Sequence, residues 1–184
     1  VVHPAGFDQV ILPMTTTLLL DHVEVTYRRI AEIDFEGFHT GTELESQLAA
    51  IGVTFFGDSI GNESDVIQAL GRGFDRLEGN FLVNDTATPP TGKSGMIGFR
   101  LDRLASRVSF DFAGPSPLRV VAFRGAFAPG NIVGVLEFTT TVGASGFSEG
   151  HAVVTAAGGF DGVILAESHD GLVLDNLTVE YLEP

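Results

Sequence analysis

Cysteine and tryptophan are both absent from the 184 residues, and basic side chains are scarce. Without cysteine there is no disulfide, no thiolate nucleophile and no Cys-ligated zinc. Ten lysines and arginines stand against 24 acids, a net charge of −14. That balance excludes nucleic acid, whose phosphates need a basic surface, and an anionic membrane face. Divalent cations and neutral partners such as sugars or protein remain. No stretch approaches eighteen consecutive apolar residues, so direct membrane insertion as a helix is not expected. With no tryptophan, and only Tyr27 and Tyr181 as tyrosines, few rings can form a sugar-stacking platform. Val1 is not an initiator and no signal peptide is visible, so the chain reads as a processed or truncated product.

What is plentiful is glycine (23) and phenylalanine (15), in a chain 44% hydrophobic. That suits short strands and tight turns around an aromatic core. The length allows one well-buried domain plus an extra element, not two full domains. β-rich runs recur at 53–56, 81–83, 96–101, 108–112, 118–124, 132–141, 151–155, 160–165 and 172–181. Val108-Ser109-Phe110-Asp111-Phe112 alternates as a half-buried strand should. Gly114-Pro115-Ser116-Pro117 and Ala128-Pro129-Gly130-Asn131 are turn chemistry. One short helix is expected at 42–51, with Leu44, Leu48 and Ile51 on one face and Gly52 as its stop. Residues 65–70 read as a further turn, and 84–95, with two prolines, as a mobile loop. The spacing predicts an all-β sandwich rather than alternating βαβ units.

The chain nearly repeats itself across its two ends. Gly6-Phe7-Asp8-Gln9-Val10-Ile11-Leu12 and Leu18 to Tyr27 match Gly159-Phe160-Asp161-Gly162-Val163-Ile164-Leu165 and Leu172 to Tyr181, with eleven identities. Unrelated segments of that length share roughly one or two, so a structural unit is duplicated. Residues 1–29 thus read as an extra strand pair, the end of a preceding repeat or an intersubunit connector, and 30–184 as the sandwich domain. Its apolar residues Val10, Ile11, Leu12, Leu18, Leu20, Val23, Val25 and Tyr27 are the expected contacts with copies of itself or adjacent repeats.

Ile33-Asp34-Phe35-Glu36-Gly37, Gly41-Thr42, Gln47-Leu48 and Gly52-Val53-Thr54-Phe55 resemble the opening block of exported bacterial jelly-roll domains. Such domains occur in PEP-CTERM surface proteins and are similar in build to carbohydrate-binding-module-like sandwiches. Residues 104–112, 118–123 and the closing 159–178 fit the same group, so the resemblance covers about 31–182. It implies a two-sheet jelly roll, an extracellular or cell-surface location, and a structural or adhesive role. Its alternative is a carbohydrate-binding module with surface carbohydrate as partner. It also implies a structural calcium ion held by Glu36 and Asp175, with Asp34 adding its carbonyl. Calcium takes six to eight oxygens, so loop carbonyls or water would complete the shell. Asp21 is the duplicate of Asp175 and has no Asp-Phe-Glu partner before it.

Four other candidates carry no chemistry here. Gly57-Asp58-Ser59-Ile60 looks like the nucleophile block of GDS-type esterases, but none of His3, His22, His39, His151 or His169 has Asp three residues before it. Gly92-Lys93-Ser94 lacks the earlier glycine of a phosphate loop, where Ala87 stands. The histidines show no metal-ligand spacing. The sequons at Asn62, Asn84 and Asn176 are triplets frequent by chance. No catalytic residue is expected, and the chain is read as a non-enzyme.

Overall fold

A computed structural model describes residues 29–42, 44–56, 66–69, 74–83, 96–114, 117–142, 148–166 and 172–182. The strand pair expected at 1–29 lies outside these apart from Arg29. So do 57–60, 84–95, His3, His22 and His169. The described residues form ten strands: β1 (Ile30–Ile33), β2 (Val53–Phe56), β3 (Val66–Ala69), β4 (Asn80–Val83), β5 (Met96–Gly114), β6 (Leu118–Phe123), β7 (Ile132–Phe138), β8 (Thr141–Val142), β9 (Ser148–Ala166) and β10 (Val173–Tyr181). Every pairing is antiparallel.

Two long strands, β5 and β9, run side by side through the molecule and belong to both of its layers. The first part of β5 pairs with β2, and its partner, the end of β9, pairs with β6, which pairs with β7. The second part of β5 pairs with β10, and its partner, the start of β9, pairs with β8. The other edge of β10 takes β4 at its start and β1 at its end, and β4 pairs with β3. One continuous sheet is thus folded over on itself.

The fold-over lies where the ladder breaks and recovers. Between the pairs Arg100–Gly162 and Ala105–Phe160, β5 carries three more residues than β9. Between Ala105–Phe160 and Arg107–Thr155, β9 carries three more than β5, so the original register returns. Paired bulges of this kind bend a strand without changing which face its side chains take. The excursion in β9 ends in Gly158-Gly159, with Gly159 at φ +74. A Cβ there would lie 2.4 Å from Leu182 Cδ1 and 3.1 Å from the Ala105 carbonyl oxygen. The Arg124 guanidinium donates to the carbonyls of Gly158 and Gly159, and Leu182 N donates to Leu104 O at 2.8 Å.

The core fills the space between the layers. Val108, Phe110 and Phe112 of β5 point inward with Leu174, Leu177 and Val179 of β10, against Phe55, Phe99, Val120 and Leu165 of the other layer. Phe35, beyond β1, meets Phe55 of β2 with ring centroids 6.3 Å apart, a direct contact across the sandwich. Each fully buried Phe contributes about 2–3 kcal/mol of transfer free energy.

Three local expectations are corrected. The short helix is present but shorter than expected: among the described residues of 42–51 it is confined to Ala49–Ile51, as a 3₁₀ turn. Phe55 N donates to Glu45 O and Val53 N to Leu48 O, so backbone groups that a helix would use serve the start of β2 instead. The runs at 96–101 and 108–112 are one strand, as are those at 151–155 and 160–165. Within 65–70, Val66–Ala69 form β3 rather than a turn. Replacing Gly159 with Ala should cost about 1–3 kcal/mol, from strain at positive φ and the clash with Leu182. A urea midpoint equal to wild type would show that the bend does not depend on this glycine.

Candidate functional site

Beyond β1 the Asp34-Phe35-Glu36 run turns sharply. Phe35 takes φ 60, rare for an aromatic residue, and its ring is buried. Driving the ring inward leaves the flanking acids outside. Asp34 Oδ1 accepts the Glu36 N–H at 3.1 Å, and Glu36 Oε1 accepts the Asn80 N–H at 2.9 Å. Glu36 therefore sits in a turn beyond the opening strand, not on it.

Asp175 reaches the same 78–80 segment from the other side. Its strand carries a bulge: Asp175 faces Asp111 and Thr178 faces Ser109, so one residue is extra in β10. Asn176 absorbs it with φ 51. The bulge leaves Asp175 only 2% exposed, with Oδ1 accepting Asn176 N–H at 2.7 Å and Oδ2 accepting Glu78 N–H at 3.3 Å. Gly79 stands between the two acids at φ +67, and a Cβ there would lie 1.9 Å from Glu36 Oε1. Phe35 and Asn176 are the two non-glycine residues with positive φ among the described residues, and each adjoins one of these acids. At Phe35 this costs of order 1–3 kcal/mol, whereas asparagine takes the left-handed region readily.

Electrostatics follow from the burial. Desolvation raises the Asp175 pKa to about 6; the Asn176 and Glu78 N–H groups pull it down, and the charges of Glu36 and Asp111 push it up again. Asp111 in turn meets His151 Nδ1 at 2.9 Å and accepts the Asn176 side-chain amide at 3.2 Å. The structure thus brings Glu36 and Asp175 to one turn, and adds Asp111, Asn176, His151 and Gly79, which sequence reasoning missed. Asp34 faces a neighbouring open cleft of ≈ 350 Å³ with Glu32, Asn176 and Thr178. Among the described residues, no three His, Cys, Asp or Glu side chains are grouped to hold a metal. Two carboxylates on one turn, one of them deeply desolvated, suit a hard cation whose remaining ligands are carbonyls and water.

The contacts expected at Val10, Ile11, Leu12, Leu18, Leu20, Val23, Val25 and Tyr27 lie outside the described residues. Their duplicates are described. Val163, Ile164, Leu165, Leu172, Leu174, Leu177, Val179 and Tyr181 are all buried. At the opposite end of the molecule, the 124–131 loop and the 156–159 excursion border an open cleft of ≈ 490 Å³, lined by Arg124, Asn131, Val133, Thr155 and Gly158 among others. Arg124 has no carboxylate partner there among the described residues.

No family model matches the chain, and no curated protein does. Solved structures do. The K1 cleaved adhesin domain of Lys-gingipain from Porphyromonas gingivalis W83 superposes with a TM-score of 0.55 at 10% identity, covering 84% of this chain and 99% of that one. The K2 cleaved adhesin domain of Lys-gingipain gives 0.52 at 14% identity, over 82% and 98%. A family 35 carbohydrate binding module from Clostridium thermocellum gives 0.39 at 15%, over 78% and 100%. The adhesin domains share this fold, an all-β sandwich. No helix among the described residues is long and apolar enough to cross a membrane.

The raised Asp175 pKa makes a signed prediction. Between about pH 4 and pH 6 the folded chain holds a proton on Asp175 that the unfolded chain has lost. Its contribution is therefore complete below about pH 4 and falls by roughly 2–3 kcal/mol as pH rises through 6. In chelator, urea unfolding at pH 4.5 and 7.5 should show a smaller difference for Asp175→Asn than for wild type. Equal differences would remove this carboxyl from the pH dependence.

Proposed function

We propose that the chain is a non-enzymatic extracellular or cell-surface module, structural or adhesive in role, that joins copies of itself through its N-terminal strands into an array or filament. One observation carries this reading. The sequence duplicated at 6–27 is, at 159–181, a pair of interior strands. The end of β9 lies between β5 and β6, and β10 lies between β5 and the strands β1 and β4. Interior strands have two backbone edges and an apolar face to satisfy. A lone strand pair is at best marginally stable in water, so a second such pair needs another domain to complete it.

The fold shared with the cleaved adhesin domains supports an adhesive, non-catalytic role. The Glu36–Asp175 turn supports a structural calcium ion that neutralises the buried carboxylate. A second reading, carbohydrate binding, is favoured by the cleft at Arg124, whose Asn131 and Thr155 offer hydrogen bonds to a sugar. Retention of the wild-type chain on a glycan column, lost in Thr155→Ala, would support it.

Light scattering of the full chain tests the main reading. Wild type should form species well above one chain, while Val23→Lys/Val25→Lys, which places charge on the apolar face of the N-terminal strand, should remain a monomer. Calcium should raise the melting temperature of wild type by several degrees and leave Glu36→Gln nearly unchanged. A monomeric wild type in both calcium and chelator would end the assembly reading.

A further inference from the structure

We propose that the outer edge of β7 is the acceptor for the N-terminal strand, residues 18–27, of a second copy. The inference rests on the assembly reading above and names the surface that completes it.

From Gly134 onward the edge itself is unguarded. No described strand pairs with the far side of β7, which ends its layer. Phe127, Ile132, Val133 and Val135 are 54%, 38%, 42% and 45% exposed, and they make up four of the six large exposed hydrophobics among the described residues. Native edge strands are protected by lysine, proline, inward charge or a bulge. Residues 132–138 contain neither lysine nor proline, and their one charge, Glu137, stands across from Arg119 of β6; the one bulge, at Val133, lies at the start of the strand and leaves Gly134–Phe138 in regular register. Such an edge invites main-chain pairing with another strand, the mode of strand addition.

The donor must come from another molecule. Arg29 is fixed at the end of β10, where its carbonyl accepts the Tyr181 N–H at 3.0 Å, and Ile30 pairs with Glu180. Tyr27 lies three residues from Ile30, a reach of about 10 Å. Across the sheet, β1 and β7 are separated by β10, β5, β9 and β6. At about 4.8 Å per strand spacing, that is roughly 24 Å. Folding the sheet over does not close the gap, because β1 lies beyond β5 and β7 lies beyond β9, on opposite flanks of the shared pair. A strand ending at Tyr27 therefore cannot lie along its own β7.

The donor's chemistry matches. Val23, Val25 and Tyr27 alternate with Glu24 and Thr26, giving one apolar face to continue that of Val133 and Val135. Exchange into the β9 slot by the first duplicated run is opposed, because Gln9 stands where Gly162 must lie bare beneath Phe123. A Cβ at Gly162 would already be 2.2 Å from that ring. With a donor on one flank and an acceptor on the other, each contact is head-to-tail and leaves both a donor and an acceptor free. Such a contact propagates unless the rotation closes a ring.

The test uses the full chain in three forms. Wild type should polymerise, more so as salt screens the net charge of −14 on each copy. Val133→Lys/Val135→Lys, blocked at the acceptor, and Val23→Lys/Val25→Lys, blocked at the donor, should each remain monomeric alone. Mixed in equal amounts they should double in mass and stop there, because one intact donor meets one intact acceptor. If the β7 variant unfolds by circular dichroism, a synthetic peptide of residues 16–29 added in excess to wild type decides instead: it should shorten the polymers. Polymers from the β7 variant equal to wild type, or a peptide without effect, would overturn the acceptor while leaving N-terminal assembly standing. Polymers from the Val23→Lys/Val25→Lys variant, or a wild type that never assembles, would remove both.

Discussion

The pairing of β5 with β9 is the constraint on which the rest depends. Both strands are 19 residues long and run through both layers, so neither layer has an independent register. A slip by one residue would turn Phe99, Phe110 and Phe112 outward together, along with their partners on β9. The compensated bulges at 100–107 and 155–162 resolve a conflict inherent in such strands. The sheet must fold sharply to cover its own apolar face, yet the pairing beyond the fold must match the pairing before it. Gly158 and Gly159, with the Arg124 guanidinium on their carbonyls, supply the tight backbone that this requires. Both candidate features are then placed by position along this pair: the acidic turn on the β10 side, the β7 edge on the β6 side.

The acidic turn shows a second conflict, between burial and charge. Asp175 is carried into the interior by the bulge at Asn176, where its charge is costly, and Glu36 and Asp111 add to the cost. Backbone N–H groups from Glu78 and Asn176 offset part of it. A cation would offset more. Hydrogen bonds alone could satisfy these carboxylates on ordinary backbone. Phe35 is the residue there whose left-handed backbone stores strain.

Alternation and turn chemistry made the individual strands legible, because a half-buried strand writes its pattern locally, as in 108–112. Continuity across 102–107 and 156–159 was not legible. The charged first stretch and the small-residue second stretch carry no strand alternation, and only the partner strand shows that pairing resumes. The helix is shorter than its spacing suggests for the same reason: Leu44 and Leu48 have helical spacing, but the backbone of 45–48 is claimed by β2. At the site, Glu36 and Asp175 could be named from a resemblance. Asp111 could not, since its relevance comes from standing opposite Asp175 in a register no sequence displays.

The duplication gains its force from the same register. A repeated surface hairpin would imply little, because edge strands tolerate solitude. What is repeated here is a pair of largely buried strands, flanked on both sides. Replacement of Gly162 by Gln9 in the copy matters as much as the identities, because the β9 slot requires a bare backbone beneath Phe123. The first duplicated run has therefore lost the ability to substitute for β9, while the second keeps the alternation of a strand. The chain thus carries interior-strand chemistry in the sequence of its N-terminal copy and, among the described residues, a β7 edge that no strand covers.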